Sequence, residues 1–444
     1  MLIDIYTSRR REMRRVVLTR PVVGLISGET CCHNLDLTGL GRTSIMLLSL
    51  VTLATAVGIV SPQEVPVTAP HFRVPVDPEV YMDATQLITS KGFPCENHYV
   101  TTEDGFILNM QRIPHGRGDN SSGTAKRAVM LQHGLLGSSP NFLVNLANES
   151  LAFILADAGA DVWLGNVRGN TYSRAHKTLK PSDREFWEWS YDEMAKYDLP
   201  AMIDYIVQTT GQPQVHYVGH SQGTLIGFAG FSQNKTLGQL VKTFIALAPV
   251  ATVGHIKSPL RLLAPFSKEL KEAFALLGHG ELLPSTNLTK WLARTMCKVA
   301  PVLCENLYFV LNGFDYRSFN SSRVPVYMAH TPSGTSTQNM LHFGQGVNSD
   351  KFLMFDFGSA AANTAHYGQA TPPAYRPDEM DVPVVLFSGG NDFLADPDDV
   401  TWIRSQLKHI VGDHVIPHWE HLDFTLAMDA PVLCYDKIKR IIFG

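Results

Sequence analysis

Gly219-His220-Ser221-Gln222-Gly223 lies at the middle of a 444-residue chain, with the β-prone Val215, Tyr217 and Val218 before it and an apolar, helix-compatible run from Thr224 to Phe228 after it. Strand, sharp turn and helix in that order form the context of a nucleophile elbow, which lifts a serine hydroxyl above the edge of a sheet. The two glycines fit because side chains there would collide with the neighbouring strand and helix.

On both sides of the elbow the chain alternates strands with helices. Tyr99–Thr102 and Phe106–Arg112 flank the turn Glu103-Asp104-Gly105 and read as a hairpin opening a domain that starts near Asp83. Ala128–Gln132 reads as a buried strand, Phe142–Ala158 as a helix, Ala160–Leu164 as a strand and Met194–Thr209 as a helix leading to the elbow strand. Thr243–Ala248 and Val382–Phe387 are further strands. The alternation predicts an α/β architecture, a mainly parallel sheet with helices on both faces and ligand chemistry at the carboxyl ends of its strands. Residues 250–369 break the rhythm and are read as an inserted helical cap or lid, dividing the core into 83–249 and 370–444. The Pro- and Val-rich stretch 62–82 reads as a linker or pro-segment.

A serine needs a histidine to take its proton, and the histidine needs an acid to fix its tautomer. In an α/β-hydrolase arrangement the chain order is serine, acid, histidine. Asp392, in Ser388-Gly389-Gly390-Asn391-Asp392 directly after a strand, fits the acid by position. Asp396, Asp398 and Asp399 are alternatives, although Asp396-Pro397 reads as the start of the next helix. His421 fits the base, in a loop that follows the short strand His414–Ile416, with His418 as the reserve. Backbone amides of Leu135, in the turn His133-Gly134-Leu135-Leu136-Gly137, and of Gln222 are the candidate oxyanion donors. Each such donor stabilises a developing negative charge by on the order of 3 kcal/mol. His418, Glu420 and His421 lack the spacing of a helical zinc motif, so neither a metal nor a cofactor is expected.

With 45% hydrophobic residues, 18% charged residues and a net charge of -4, the chain carries no basic footprint for nucleic acid. Six cysteines are too few for a disulfide scaffold, but Cys297 and Cys304 are close enough in sequence to staple one loop; Cys95 and Cys434 stay unassigned. Sequons at Asn120, Asn148, Asn234, Asn287 and Asn320 suit a secretory route. The apolar run 45–60 with Ala54-Thr55-Ala56 reads as a signal-peptide core starting from Met46, which makes residues 1–45 an upstream extension. The competing reading of that run is a signal anchor with an Arg-rich cytoplasmic tail.

From about Asp83 to the C-terminus the motifs resemble those of the acid lipases, the gastric and lysosomal acid lipase family, and look most like its insect members. The resemblance rests on Gly92-Phe93-Pro94, Thr102-Glu103-Asp104-Gly105-Phe106, His133–Ser139, Asp161–Asn170, the elbow, Gly389–Pro397 and His421-Leu422-Asp423-Phe424. It implies Ser221 as nucleophile, Asp392 as acid, His421 as base, Leu135 and Gln222 as oxyanion amides, and cofactor-free hydrolysis of neutral-lipid esters such as triacylglycerols or cholesteryl esters. It also implies a lipid–water interface as the place of action and a secreted or lysosomal location. The fold could instead carry a non-catalytic lipid-binding or storage protein, an acyltransferase or a small-ester esterase.

Overall fold

The computed structural model describes residues 77–118, 126–266, 280–284 and 301–444. The signal-like segment, the upstream extension and most of the 62–82 stretch lie outside the described residues, as do Asn120, Asn287 and Cys297.

Eleven strands are described: β1 Glu96–Thr101, β2 Phe106–Ile113, β3 Ala128–Gln132, β4 Asp161–Gly165, β5 Ala175–His176, β6 Val215–His220, β7 Val241–Leu247, β8 Glu281–Leu282, β9 Thr335–Ser336, β10 Val384–Gly389 and β11 Ile410–Ile416. The main sheet runs β1-β2-β4-β3-β6-β7-β10-β11, with β5 paired to β2 and β8 and β9 forming a separate pair. Along the main sheet from β4 to β11 the neighbouring strands are parallel, and among the described residues of that sheet the β1/β2, β2/β4 and β2/β5 pairs are antiparallel. Parallel strands covered on both faces are rich in apolar residues, and β3, β4, β6 and β10 are buried along their whole length. At the sheet edge β11 instead alternates between exposed and covered residues, which leaves Val411 and Val415 in solvent. This strand is longer than its apolar tip suggests, because Gly412 and Asp413 are tolerated on an edge.

Register sets the working edge. Gln132 of β3 pairs with Gly219 of β6, His220 pairs with Leu247 of β7, Phe387 of β10 pairs with that same Leu247, and Gly389 pairs with Ile416 of β11. The loops leaving β3, β6, β10 and β11 therefore start side by side.

Two helix expectations are corrected. Phe142–Ala158 is not one helix: a single-turn 3-10 segment, Ser139–Phe142, is followed by irregular chain and then the helix Leu151–Asp157. The interruption is held by Asn145, which is buried, donates to the Leu426 carbonyl at 2.8 Å and accepts from the Tyr327 hydroxyl. Met194–Thr209 is divided as well, into a π turn Met194–Asp198 and a helix Leu199–Thr210. Pro200 has no N–H for the carbonyl four residues back, and the wider turn takes up the missing bond.

At the other boundary, the last residues of the stretch read as linker pack onto the fold. Val80 is buried, and Arg323 reaches the carboxylates of both Asp77 and Glu79. Asp83 caps the helix Ala84–Ser90, with its side chain on the Gln86 amide and the Gln86 side chain on the Asp83 amide.

Between β7 and β10, no strand among the described residues joins the main sheet. The intervening chain includes the helices Pro301–Asn312, Val324–His330, Thr337–Ser349 and Ala360–Tyr367.

Candidate active site

Ser221 follows β6 directly and has φ 54° and ψ -120°, a conformation that side chains rarely adopt. Crowding on both sides enforces it. A Cβ on Gly219 would stand 2.7 Å from the Gly223 carbonyl, and one on Gly223 would stand 2.4 Å from the Gln132 carbonyl oxygen. The helix Gln222–Gln233 starts immediately after the serine, so its N-terminal amides face the reacting edge.

The Ser221 hydroxyl lies 2.7 Å from His421 Nε2, and His421 Nδ1 lies 3.0 Å from each carboxylate oxygen of Asp392. A carboxylate only accepts, so Nδ1 carries the proton and Nε2 is free to accept from the serine. Asp392 is itself fixed by the amides of Leu394 and Ala395, both donating to Oδ1 at 2.9 and 2.8 Å. Asp392 and His421 are both buried, with exposures of 1% and 3%.

Of the other acids from the sequence, Asp398 is exposed, and Asp396 and Asp399 are engaged elsewhere. Asp396 caps the helix Pro397–Gln406 and pairs with Lys257 at 2.8 Å, while Asp399 accepts from Thr252 and His255. His418 is half exposed and faces Asp315 and Asp429 at 4.0 and 3.8 Å. A cavity of about 390 Å³ is lined by Arg317, Ser318, His418, Met428 and Asp429, none of them part of the Ser221 cluster. Among the described residues, the cluster able to bring three metal-binding side chains together is His255, Asp350 and Asp399, not His418, Glu420 and His421.

Sequence reasoning passed over the supports of the β3 turn. His133 donates from Nδ1 to the Gly134 carbonyl at 2.8 Å, and its Nε2 accepts from Val167 N and Asn170 Nδ2 at 3.3 and 3.1 Å. Burial keeps this imidazole neutral, lowering its pKa to about 4. Asn166 joins the network, accepting from Ser139 N and Asn170 Nδ2 at 2.9 and 3.0 Å. Asn166 and Asn170, directly after the apolar run of β4, were the available signal. The same loop is anchored by Arg168, which is buried between Asp198 and Asp104 at 2.7 and 2.6 Å, over the ring of Phe106. In that turn Leu136 has φ 58°, and among the described residues neither the Leu135 amide nor the Gln222 amide has a backbone acceptor.

Chain between β7 and β10 meets these loops, as does the loop after β10. Ser333 N donates to the Leu136 carbonyl at 2.8 Å, Asn339 Nδ2 to Gln222 Oε1 at 2.8 Å and Phe393 N to the Asn312 carbonyl at 3.1 Å.

Residues 84–146 match the family model for a partial alpha/beta-hydrolase lipase region, and residues 127–278 match that for the alpha/beta hydrolase fold. Lysosomal acid lipase/cholesteryl ester hydrolase from Homo sapiens is 52% identical over 369 residues, 83% of this chain and 92% of that protein. Gastric triacylglycerol lipase from Homo sapiens is 49% identical over 371 residues, covering 83% and 92%. The chain belongs to the acid lipase family. The fold of this acid lipase is shared more distantly with a solved structure from Sulfolobus solfataricus, at TM-score 0.50 and 15% identity, covering 78% of this chain and 98% of that one.

In this acid lipase Cys304 is disulfide-bonded, whereas Cys95 and Cys434 are free thiols. Asn148 and Asn234 are exposed and Asn320 is half-buried. No helix among the described residues is long and apolar enough to cross a membrane.

Proposed function

We propose that this acid lipase hydrolyses carboxylic esters of neutral lipids, triacylglycerols or cholesteryl esters, through an acyl-enzyme on Ser221. The observation that carries the proposal is the continuous hydrogen-bonded chain from Ser221 through His421 to Asp392, buried at the carboxyl edge of a parallel sheet. His421 takes the hydroxyl proton as Ser221 attacks the ester carbonyl, Asp392 stabilises the imidazolium, and His421 returns the proton to the leaving alcohol. Water then attacks the acyl-enzyme by the same route. The amides of Leu135 and Gln222, without backbone acceptors of their own among the described residues, receive the oxyanion. The names of the relatives support the substrate class.

The family and the sequons support passage through the secretory pathway, to the lysosome or the exterior, with glycans on Asn148, Asn234 and Asn320. At Asn234 the helix-capping bond to Leu237 N uses the side-chain oxygen and not the nitrogen that would bear a glycan.

The test is hydrolysis of emulsified triolein and cholesteryl oleate by the wild type and Ser221→Ala. Activity in the wild type that falls at least a thousandfold in the variant is expected. Equal activity in both would overturn the assignment.

A further inference from the structure

His220, the residue before the nucleophile, is 2% exposed and ends β6. Its Nε2 lies 2.9 Å from the carbonyl oxygen of His421, a residue 201 positions away. A carbonyl cannot donate, so this nitrogen carries the proton. Its other ring nitrogen, Nδ1, is buried without a hydrogen-bond partner among the described residues and faces Gly134, where a Cβ would come within 3.3 Å. The same Cβ would stand 2.9 Å from Ser221 Cβ. The His220 ring thus occupies the space between the nucleophile strand, the turn after β3 and the loop that carries His421.

The loop is tied on either side of His421. Asn391 N holds the Trp419 carbonyl at 3.0 Å, and Glu420 N donates to Asp423 Oδ2 at 2.6 Å. Among the described residues, the hydrogen bond from His220 is the one made to the main chain of His421 itself. It ties the backbone of the base to the strand that presents the nucleophile, beside the bond between Nε2 and Oγ.

We propose that His220 is a positioning residue, whose Nε2–H grips the His421 carbonyl and holds the imidazole at proton-transfer distance from Ser221 throughout the reaction. The proposal rests on the serine-hydrolase reading above. Proton transfer is steep in distance and angle, so loss of this tie acts on the chemical step more than on ester binding. The groups facing the ring are His421, Asp392 and His133. Burial, with the His421 charge adding to it, pushes the His220 pKa down to about 3. In acidic surroundings the brace therefore stays neutral and puts no second positive charge beside the base, whose ring centre is 5.1 Å away.

Glutamine can place a side-chain N–H where Nε2–H stands, and leucine fills the space without a donor. The experiment compares wild type, His220→Gln and His220→Leu by kcat and KM on a soluble ester, by labelling rate of Ser221 with a fluorophosphonate, and by melting temperature. The expected result is a kcat and labelling rate lowered at least tenfold in His220→Leu with KM changed less than threefold. Recovery of most of that loss in His220→Gln is expected too, with the pH profile unmoved. Wild-type rates in a folded His220→Leu would overturn the proposal, and so would a folded His220→Gln as slow as His220→Leu. Labelling reads the pairing of Ser221 with His421 whatever lipid the enzyme prefers. A wild type inert on lipid esters but labelled at Ser221 therefore strikes the substrate reading and leaves the brace to be judged on labelling alone.

Discussion

Both oxygens of Asp392 face one imidazole nitrogen, and the serine faces the other, so the acid sets which way the ring can act. Asp392→Asn would keep the shape but offer an N–H where the ring must donate, favouring the wrong tautomer. The expected outcome is a kcat lowered roughly a thousandfold or more, with little change in melting temperature. Steady-state rates on a soluble ester check it, and a loss below tenfold would show that the acid lies elsewhere. At this scale the sequence was informative where chain order carries information. Ser221, Asp392 and His421 follow strand ends in a fixed order, which is visible in one dimension. The contact between His220 and the His421 carbonyl is not, because it joins main chain to side chain across 201 residues. Nor is the grip of Asn166 and Asn170 on the β3 turn, since an asparagine says nothing of its partner until the strands are paired.

Among the elements, strands β3, β4, β6 and β10 were legible because parallel strands buried on both faces leave continuous apolar runs. The helices were less so. Periodicity does not distinguish the apolar loop around Asn145 from a helix, and it does not register the bond that Pro200 removes. The helix Pro397–Gln406 separates two acids that pattern alone left competing. Asp396 caps it through the Asp398 amide at 3.0 Å, whereas Asp392 turns toward His421. Asp396→Ala is accordingly expected to cost about 1 kcal/mol of stability, the worth of a cap, while reducing kcat far less than Asp392→Asn. Denaturant titration and kinetics on the two variants decide this, and a larger kcat loss at Asp396 would reverse the roles.

For the whole molecule, acid is not uniformly hostile. Burial, then the charges of Asp315, Asp429 and Asp392, push the Asp423 carboxyl up to about 8, and burial with repulsion from Asp423 lifts Glu420 well above the usual range. An unfolded aspartate titrates near about 3.9, so between about pH 4 and 8 the folded state keeps a proton that the unfolded chain has released. That contribution is complete below about pH 4 and is lost as pH rises toward 8. The buried neutral histidines His133 and His220, with pKa values of about 4 and 3, work with the opposite sign and cost stability as pH falls below about 6.5. The carboxyl effect is isolated by Asp423→Asn, which keeps an acceptor for Glu420 N. Its melting temperature relative to wild type is expected to rise steadily from pH 5 to pH 8, and a constant difference would refute the buried-proton account.

Acid-quenching the reaction with an oleoyl ester after milliseconds and mapping adducts by peptide mass looks directly for an acyl group on Ser221. An oleoyl adduct on the peptide containing Ser221, absent from Ser221→Ala, is the predicted result. Ester turnover with no adduct there, or with the oleoyl group on another residue, would contradict it.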